Sequence, residues 1–300
     1  MKFLVTGSDT MLGRTILDRL SREDLDCVGL ARDWLLQEDA GAVLARLQPG
    51  MIINAHQFGG AERCEREPEQ CRLHNLEVVE HLAQYASEHR IPLLQLSSYA
   101  IFDGDKQSLY KATHLGNPQY LFGSCKWQAE QVVRESLQEY LILRLGWLID
   151  DAADGILERL IQAKRQGAAA FFSDEHRGNP TTPEDVARVV IAMIRQVLCG
   201  AQVWGTYHYA GAEVVSQLAL ARAAAEHLMT ADEVSELVRA AQPDQIAAIP
   251  EPGNAALGCI KIRNTFGVKQ RSWRKELATL AAGCLAAHPD HQTAVVAAKA

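Results

Sequence analysis

The stretch from Gln119 to Gln131 reads QYLFGSCKWQAEQ and sets an aromatic ring four residues before a lysine, Phe122 and Lys126. On a helix, positions i and i+4 share a face. A phenol at the first position would be a proton donor: a neighbouring ammonium stabilises its anion and draws its pKa down from near 10. Phe122 keeps the ring and lacks the proton, and loss of a positioned general acid commonly costs ~10²–10⁴-fold in rate. Tyr120, two residues earlier, falls ~200° around the helix and faces away unless the helix begins after it. Cys125 has no identified histidine partner and reads as a packed thiol.

A second chemical signal lies at the amino end, where VTGSDTMLG joins an apolar run to an amphipathic one. A strand, a glycine-bearing turn and a helix place backbone N–H groups and a helix amino terminus against a pyrophosphate. Gly7 suits the tight turn and Gly13 close packing, with Thr10, Met11 and Leu12 completing the loop. In the G-x-x-G-x-x-G form the middle glycine would stand at 10. Thr10 crowds that point, although its hydroxyl can itself donate to a phosphate. After the second apolar run comes GLARDW. Arg32 can neutralise a 2′-phosphate or be a solvated surface arginine; if a dinucleotide binds, the expectation is NADP(H) over NAD(H).

Around these residues, apolar runs alternate with amphipathic segments, the rhythm of a parallel sheet covered on both faces. Strands are expected at Met1–Val5, Asp26–Leu30, Gly50–Ala55, Pro92–Ser97 and Tyr140–Leu145. Helices are expected at Met11–Arg22, Asp39–Leu47, Glu69–His89 and Tyr120–Leu137. The fold class is therefore α/β, a doubly wound parallel sheet of Rossmann type. Residues 1–150 form the dinucleotide-binding domain, with later segments returning to it, and 151–287 a smaller α/β substrate region. In that region helices are expected at Gly155–Gln166, Pro183–Val197 (capped by Thr182), Gln217–Leu228 and Ala231–Ala240, with a strand at Gly205–Ala210. Gln242–Gly258, holding three prolines, is expected as a loop, and 288–300 as a poorly ordered tail.

The composition excludes several function classes. A formal charge of -7 and no basic stripe leave no footprint for nucleic acid. The opening apolar run is too short for a signal-peptide core and no segment approaches a membrane span, so no membrane partner and a cytoplasmic location are expected. Seven cysteines without C-x-x-C pairing suit neither a disulfide framework nor a zinc ribbon. The spacing of Cys64, Cys71 and His74 fits no standard metal site, and no metal is expected.

Taken in order, VTGSDTMLGR, PGMIINAHQFGGAERCEREPE with Asn75 following, LSSYAIFDG, YKATHLGNPQYLFGSCKWQAE, YLILRLGW, RGNPTTPEDVAR, GTYHYAG and FGVKQRSW resemble the extended short-chain dehydrogenase/reductases. Within them the chain is similar to the dTDP-4-dehydrorhamnose reductase type, from the first strand to about residue 280. The resemblance implies a Rossmann domain carrying a dinucleotide and a smaller region folded over a sugar nucleotide. It places Gly7, Gly13, Asp33, Asn54, Ala55 and Asn75 around the dinucleotide, Lys126 on the catalytic lysine, which also holds the nicotinamide ribose, and Ser98 on the hydroxyl that binds the substrate carbonyl.

The departures from the family pattern cluster at the substrate side. Phe122 replaces the catalytic tyrosine, Tyr99 and Ala100 replace an Asp and a Tyr, Ala112 and Thr113 replace a Glu-Asp pair, and Glu251 replaces a basic residue. His56 and Arg177 are further substrate-side candidates. His56 either donates to a ligand or fills space, and Arg177 either positions a nucleotide or belongs to a helix-capping loop. The expected function is an NADP(H)-binding protein with a degenerate reductase site and weak or absent turnover. The alternatives are a non-catalytic regulatory or sensor subunit, or an active reductase using a relocated donor such as Tyr99. A homodimer or a regulated partner protein is expected by analogy with the family.

Overall fold

Four- to six-residue apolar runs become strands here because helices cover them from both sides. They are β1 (Phe3–Thr6), β2 (Cys27–Leu30), β3 (Met51–Asn54), β4 (Leu93–Ser98), β5 (Tyr140–Leu145) and β6 (Gly205–Tyr209). The computed structural model describes residues 1–34, 39–247 and 251–287, so the expected tail at 288–300 lies outside the described residues. The strands pair in the order β6-β5-β4-β3-β1-β2, all parallel. Val5 of β1 lies opposite both Gly29 and Ile53. The chain leaves β1 to one side for β2 and returns to the other for β3, which opens a crevice at their carboxyl ends.

The main helices are α1 (Met11–Arg22), α2 (Ala40–Leu47), α3 (Val78–His89), α4 (Leu121–Ser136) and α5 (Pro183–Leu198). Leu12, Ile16 and Leu20 of α1 pack with Val186, Val189 and Val190 of α5 on one face of the sheet. Val43, Leu44, Val79, Leu82, Ala129 and Val133 cover the other face from α2, α3 and α4. Each such side chain contributes ~1.5–3 kcal/mol when fully buried. Thr182 caps α5, its Oγ1 accepting from the Asp185 N–H at 3.3 Å. Helix α5 and β6 lie beyond residue 150 in the chain yet belong to the main sheet and its cover.

The remaining carboxyl-terminal chain builds a second core around Ile149, Leu157, Leu160, Phe172, Leu218 and Trp273. Three two-stranded pairs hold it: Trp147–Leu148 with Pro180–Thr181, Arg177–Gly178 with Val215–Ser216, and Ala170–Phe172 with Val238–Ala240. The expected helix Ala231–Ala240 stops at Leu237, because Val238 turns inward to pair with Ala170. Part of the expected loop Gln242–Gly258 is a short helix, Pro243–Ala247, and residues 248–250 lie outside the described residues.

The expected long helix Glu69–His89 is broken. Pro68–Arg72 is helical, Leu73–Glu77 forms a π-helical turn, and only then does α3 begin. The wider turn carries His74 and Asn75 into the interior, where both are buried. A preceding helix at Ala61–Arg66, which the sequence patterning did not predict, packs Cys64 against the same region.

Candidate functional site

The loop after β1 is built for close backbone approach. Gly7 has φ +70°, and a Cβ there would lie 2.7 Å from the Ala55 carbonyl oxygen at the end of β3; one on Gly13 would lie 2.0 Å from the Gly7 carbonyl oxygen. Both positions therefore require glycine. Thr10 caps α1: its Oγ1 accepts from the Gly13 N–H at 3.0 Å and donates to the Gly7 carbonyl at 2.8 Å. The expected donation from Thr10 to a phosphate is thus already directed within the loop, and the open N–H groups at the head of α1 are what faces the crevice. Leu12 lines the adjoining cavity, and Met11 packs against the carboxyl-terminal core.

Beneath the crevice, a hydrogen-bond chain crosses three strands. Thr6 Oγ1 donates to Asn54 Oδ1 at 2.5 Å, and Asn54 Nδ2 donates to Gln95 Oε1 at 2.7 Å. Asn54 also accepts from the His56 N–H at 3.1 Å, so its amide orients the turn that follows β3. Asn75 does the same one step on, receiving the Phe58 N–H at 3.3 Å and donating to the Phe58 carbonyl at 3.2 Å. Both side chains thereby shape the wall of the crevice. Arg32 is held across the loop by Asp9, with its Nε donating to Asp9 Oδ2 at 2.7 Å, and Asp33 is exposed.

Behind this loop lies a cavity of about 210 Å³, lined by Ala55, His56, Ser98, Tyr99, Phe122, Lys126, Asp150, Arg159 and Glu251 among others. Phe122, Lys126 and Glu130 follow one another at i, i+4 and i+8 on the buried face of α4. Glu130 fixes that face to the sheet. Its Oε1 accepts from Ser97 Oγ at 2.6 Å and Arg144 Nε at 2.9 Å, and its Oε2 accepts from Arg134 at 2.6 Å and Arg144 at 2.8 Å. Gly123 allows the close contact on the other side, since a Cβ there would lie 2.0 Å from the Ala100 carbonyl oxygen.

The Phe122 ring rests in an apolar nest of Phe58, Cys64, Cys71, Ala100 and Cys125, with the Lys126 ammonium 5.7 Å from its centroid. Ala100, expected on the substrate side, does not line the cavity; it packs beneath Phe122. Burial lowers the Lys126 pKa to about 8. Ser98 Oγ accepts from the Ala100 N–H at 3.2 Å, which leaves its own proton for a ligand. Tyr120 stands before α4 in extended backbone, and its side chain is not among those lining the cavity.

His56 Nε2 lies 2.8 Å from His74 Nδ1. Burial first, then the charges of His74 and Lys126, hold the His56 pKa down to about 3, so it is neutral at ordinary pH. Tyr99 donates to Glu251 Oε1 at 2.8 Å. Burial and the Glu251 charge raise the Tyr99 pKa well above its usual value, and burial pushes Glu251 up to about 7. Arg177, expected at the substrate, is exposed and outside the cavity lining. Its backbone pairs with the Glu251 segment, donating to the Gly253 carbonyl at 2.9 Å and accepting from the Ala255 N–H at 2.6 Å.

Asp150, Asp154 and Arg159 also line the cavity, and no motif announced them. Their only local signal is IDDAADG, an acidic run directly past the end of β5 and Trp147–Leu148, where ligands of parallel sheets collect. Burial raises Asp150 to about 7. Among the described residues no group of His, Cys, Asp and Glu is arranged to hold a metal ion, and no helix is long and apolar enough to cross a membrane.

The crevice at the β1/β3 switch, the lysine on the inner face of α4 and the cavity beside the carboxyl-terminal chain all lie within a stretch that known proteins match as one unit. A family model described as the RmlD substrate binding domain matches residues 1–285. The chain belongs to the RmlD substrate binding domain family. One relative, a dTDP-4-dehydrorhamnose reductase of Aggregatibacter actinomycetemcomitans, is 26% identical over 291 residues, spanning 94% of this chain and 98% of that protein. Methionine adenosyltransferase 2 subunit beta of Xenopus tropicalis is 27% identical over 285 residues, spanning 90% of this chain and 83% of that protein.

Among solved structures, the dTDP-4-dehydrorhamnose reductase of Bacillus anthracis in complex with NADP superposes with a TM-score of 0.80 at 20% identity, covering 94% of this chain and 99% of that one. At that identity the likeness is one of fold. The RmlD family assignment and the sheet topology agree with the doubly wound architecture and the resemblance read from the sequence.

Proposed function

We propose that this chain binds NADP(H) along the β1/β3 crevice and that its capacity to reduce a sugar-nucleotide carbonyl is weak or absent. The observation that carries this reading is the Phe122 ring, buried one helical turn before Lys126 at the position that should deliver a proton. The residues present fit the dinucleotide: Gly7 and Gly13 let the loop, β3 and α1 pack so closely that a Cβ at either would strike backbone, and the amino end of α1 follows directly on that turn. Arg32 supports NADP(H) over NAD(H). Its pair with Asp9 is a surface ion pair, worth ~0–1 kcal/mol, and a 2′-phosphate competes well against it.

When bound, the dinucleotide supplies the hydride. Ser98 Oγ would donate to the carbonyl oxygen and Lys126 would hold the ribose hydroxyls, while the site lacks the phenol that would transfer the proton. A non-catalytic regulatory or sensor subunit is the second reading, favoured by the same buried Phe122 and by a relative that is named as a subunit. Tyr99 is a poor relocated donor, because its hydroxyl already donates to Glu251 and its acidity is suppressed.

The test is a fluorescence titration with NADPH and NADH, followed by carbonyl reduction assayed for the natural chain, Phe122→Tyr and Tyr99→Phe. NADPH binding with little turnover, and a gain of ~10²-fold or more on restoring the phenol, is the expected result. Ordinary turnover by the natural chain refutes the impaired site; its loss in Tyr99→Phe would assign Tyr99 as the donor. Binding without turnover in any variant selects the regulatory reading, and no NADPH binding removes all of them.

A further inference from the structure

The cavity's charge is wrong for a pyrophosphate. Three carboxylates line it, Asp150, Asp154 and Glu251, against Lys126 and Arg159. Neither cation is free for a substrate phosphate: Lys126 is taken up by the ribose in the dinucleotide reading above, and Arg159 donates to the Phe171 carbonyl at 2.8 Å, covers the Phe172 ring and feels the charges of Glu251 and Asp154. The carboxylates are less fully used. Asp154 Oδ2 accepts from the Gly60 N–H at 2.6 Å, but among the described residues Glu251 accepts from Tyr99 on Oε1 while its Oε2 is buried without a partner, and Asp150 accepts from the Ala152 N–H at 3.1 Å.

Two cavity-lining side chains also carry buried polar atoms that no hydrogen bond among the described residues satisfies. Trp147 is 7% exposed and His56 2%, and neither Trp147 Nε1 nor His56 Nδ1 has a hydrogen-bond partner among the described residues. Trp147 Nε1 is close enough to Tyr99 and Glu251 to favour the charged form of each. An indole N–H is a donor only, so it calls for an acceptor on the ligand, while the carboxylates call for a donor that carries positive charge.

We propose that the substrate end of this cavity receives a protonated amine on a polyhydroxylated carbonyl compound, an amino-sugar type of ligand, with Asp150 and Glu251 holding the ammonium and Trp147 an adjacent oxygen. This rests on the reading of the cavity as the substrate end of a dinucleotide site. It sets the chain apart from a protein that must grip a diphosphate, and it gives a role to the Glu251 that stands where the family pattern is basic.

Proton linkage follows. Asp150 and Glu251 are each pushed up to about 7 by burial, Asp154 facing both, Asp151 facing Asp150, and Tyr99, Trp147 and Arg159 facing Glu251. An ammonium beside them favours their charged forms. Binding near neutral pH therefore releases roughly one proton in total from the two acids.

Calorimetric titration of the full chain, with and without NADPH, with glucosamine, N-acetylglucosamine and thymidine diphosphate separates the cases. Glucosamine is expected to bind on the order of 10- to 100-fold more tightly than its neutral N-acetyl counterpart, the span of a charge-assisted hydrogen bond. Its heat should vary with the ionisation enthalpy of the buffer in the sense of proton release. Glu251→Gln and Asp150→Asn should each weaken glucosamine and leave N-acetylglucosamine unchanged. Equal binding of the two sugars, no binding of either, or tighter binding of thymidine diphosphate overturns the proposal whatever the variants do. The NADPH titration run alone is a separate readout: its failure sinks the dinucleotide reading, while the sugar series without NADPH still decides the amine.

Discussion

Glu251→Gln should remove a pH-dependent penalty from the folded state. The amide keeps an oxygen to accept the Tyr99 hydroxyl and cannot ionise. In the natural chain, Glu251 is raised from 4.5 to about 7, chiefly by burial. A carboxyl whose folded pKa is raised holds its proton better in the folded than in the unfolded chain, so its contribution is fully present below the unfolded value and is lost as pH climbs to the folded one. At ~1.4 kcal/mol per pKa unit the shift corresponds to about 3 kcal/mol, and discounted for the minor part of Glu251 that solvent reaches, about 2 kcal/mol is the figure to expect.

The raw curve of stability against pH will not display that loss alone. His56 and His208 are both held down to about 3 by burial, and each contributes in the opposite sense, adding stability as pH rises toward 6.5. The difference between natural chain and variant cancels those groups. Urea unfolding from about pH 4.5 to about pH 8 should give two curves that converge at the acid end and separate by about 2 kcal/mol at the alkaline end, the glutamine variant being the more stable. Parallel curves would refute the argument, since they would mean that Glu251 ionises as freely in the folded chain as in the unfolded one.

Two other substitutions test the helix that carries the site. Glu130→Gln leaves Arg144, which is 1% exposed, without its carboxylate, and should cost ~3–5 kcal/mol in denaturant unfolding; a loss below about 1 kcal/mol would show that the pair is not what binds α4 to the sheet. Lys126→Met removes an ammonium whose pKa burial has lowered to about 8, so the ligand-free chain should gain ~2–3 kcal/mol near neutral pH while NADPH affinity falls at least ~10-fold; unchanged affinity would detach Lys126 from the dinucleotide.

Features set by neighbours in the chain were legible in the sequence. The turn glycines, the α1 stripe of Leu12, Ile16 and Leu20, and the spacing of Phe122 and Lys126 are local patterns, and parallel pairing buried on both sides follows from continuous apolar runs. The π turn at Leu73–Glu77 was not legible, because it adds one residue to a helix whose apolar pattern continues through it, and only tertiary packing of His74 and Asn75 reveals why. Tyr99 and Glu251 are 152 residues apart. No periodicity connects them, and their meeting depends on Asn254 and Ala255 being sewn to Gly104 and Arg177 by backbone hydrogen bonds. Composition could flag the acidic run after β5 as unusual, but its burial comes from the carboxyl-terminal chain folding back over it.

The inner face of α4 explains how one position can lose its chemistry while its neighbours keep theirs. Phe122 differs from tyrosine by one oxygen and packs as well or better in a nest of thiols and rings, so nothing in the fold resists that change. Lys126 is different. A buried ammonium costs stability, and a methionine of similar length would fill the space without that cost. Its presence next to a ring with no hydroxyl therefore points to an interaction outside the protein's own core, which under the proposed reading the ribose of a dinucleotide in the β1/β3 crevice would supply. Glu130, a turn further on, is bound by Arg144, Arg134 and Ser97 and would stay whether or not a ligand came. Along one helical face, the packing tolerates the loss at 122, demands the pair at 130, and leaves only 126 for a ligand to account for.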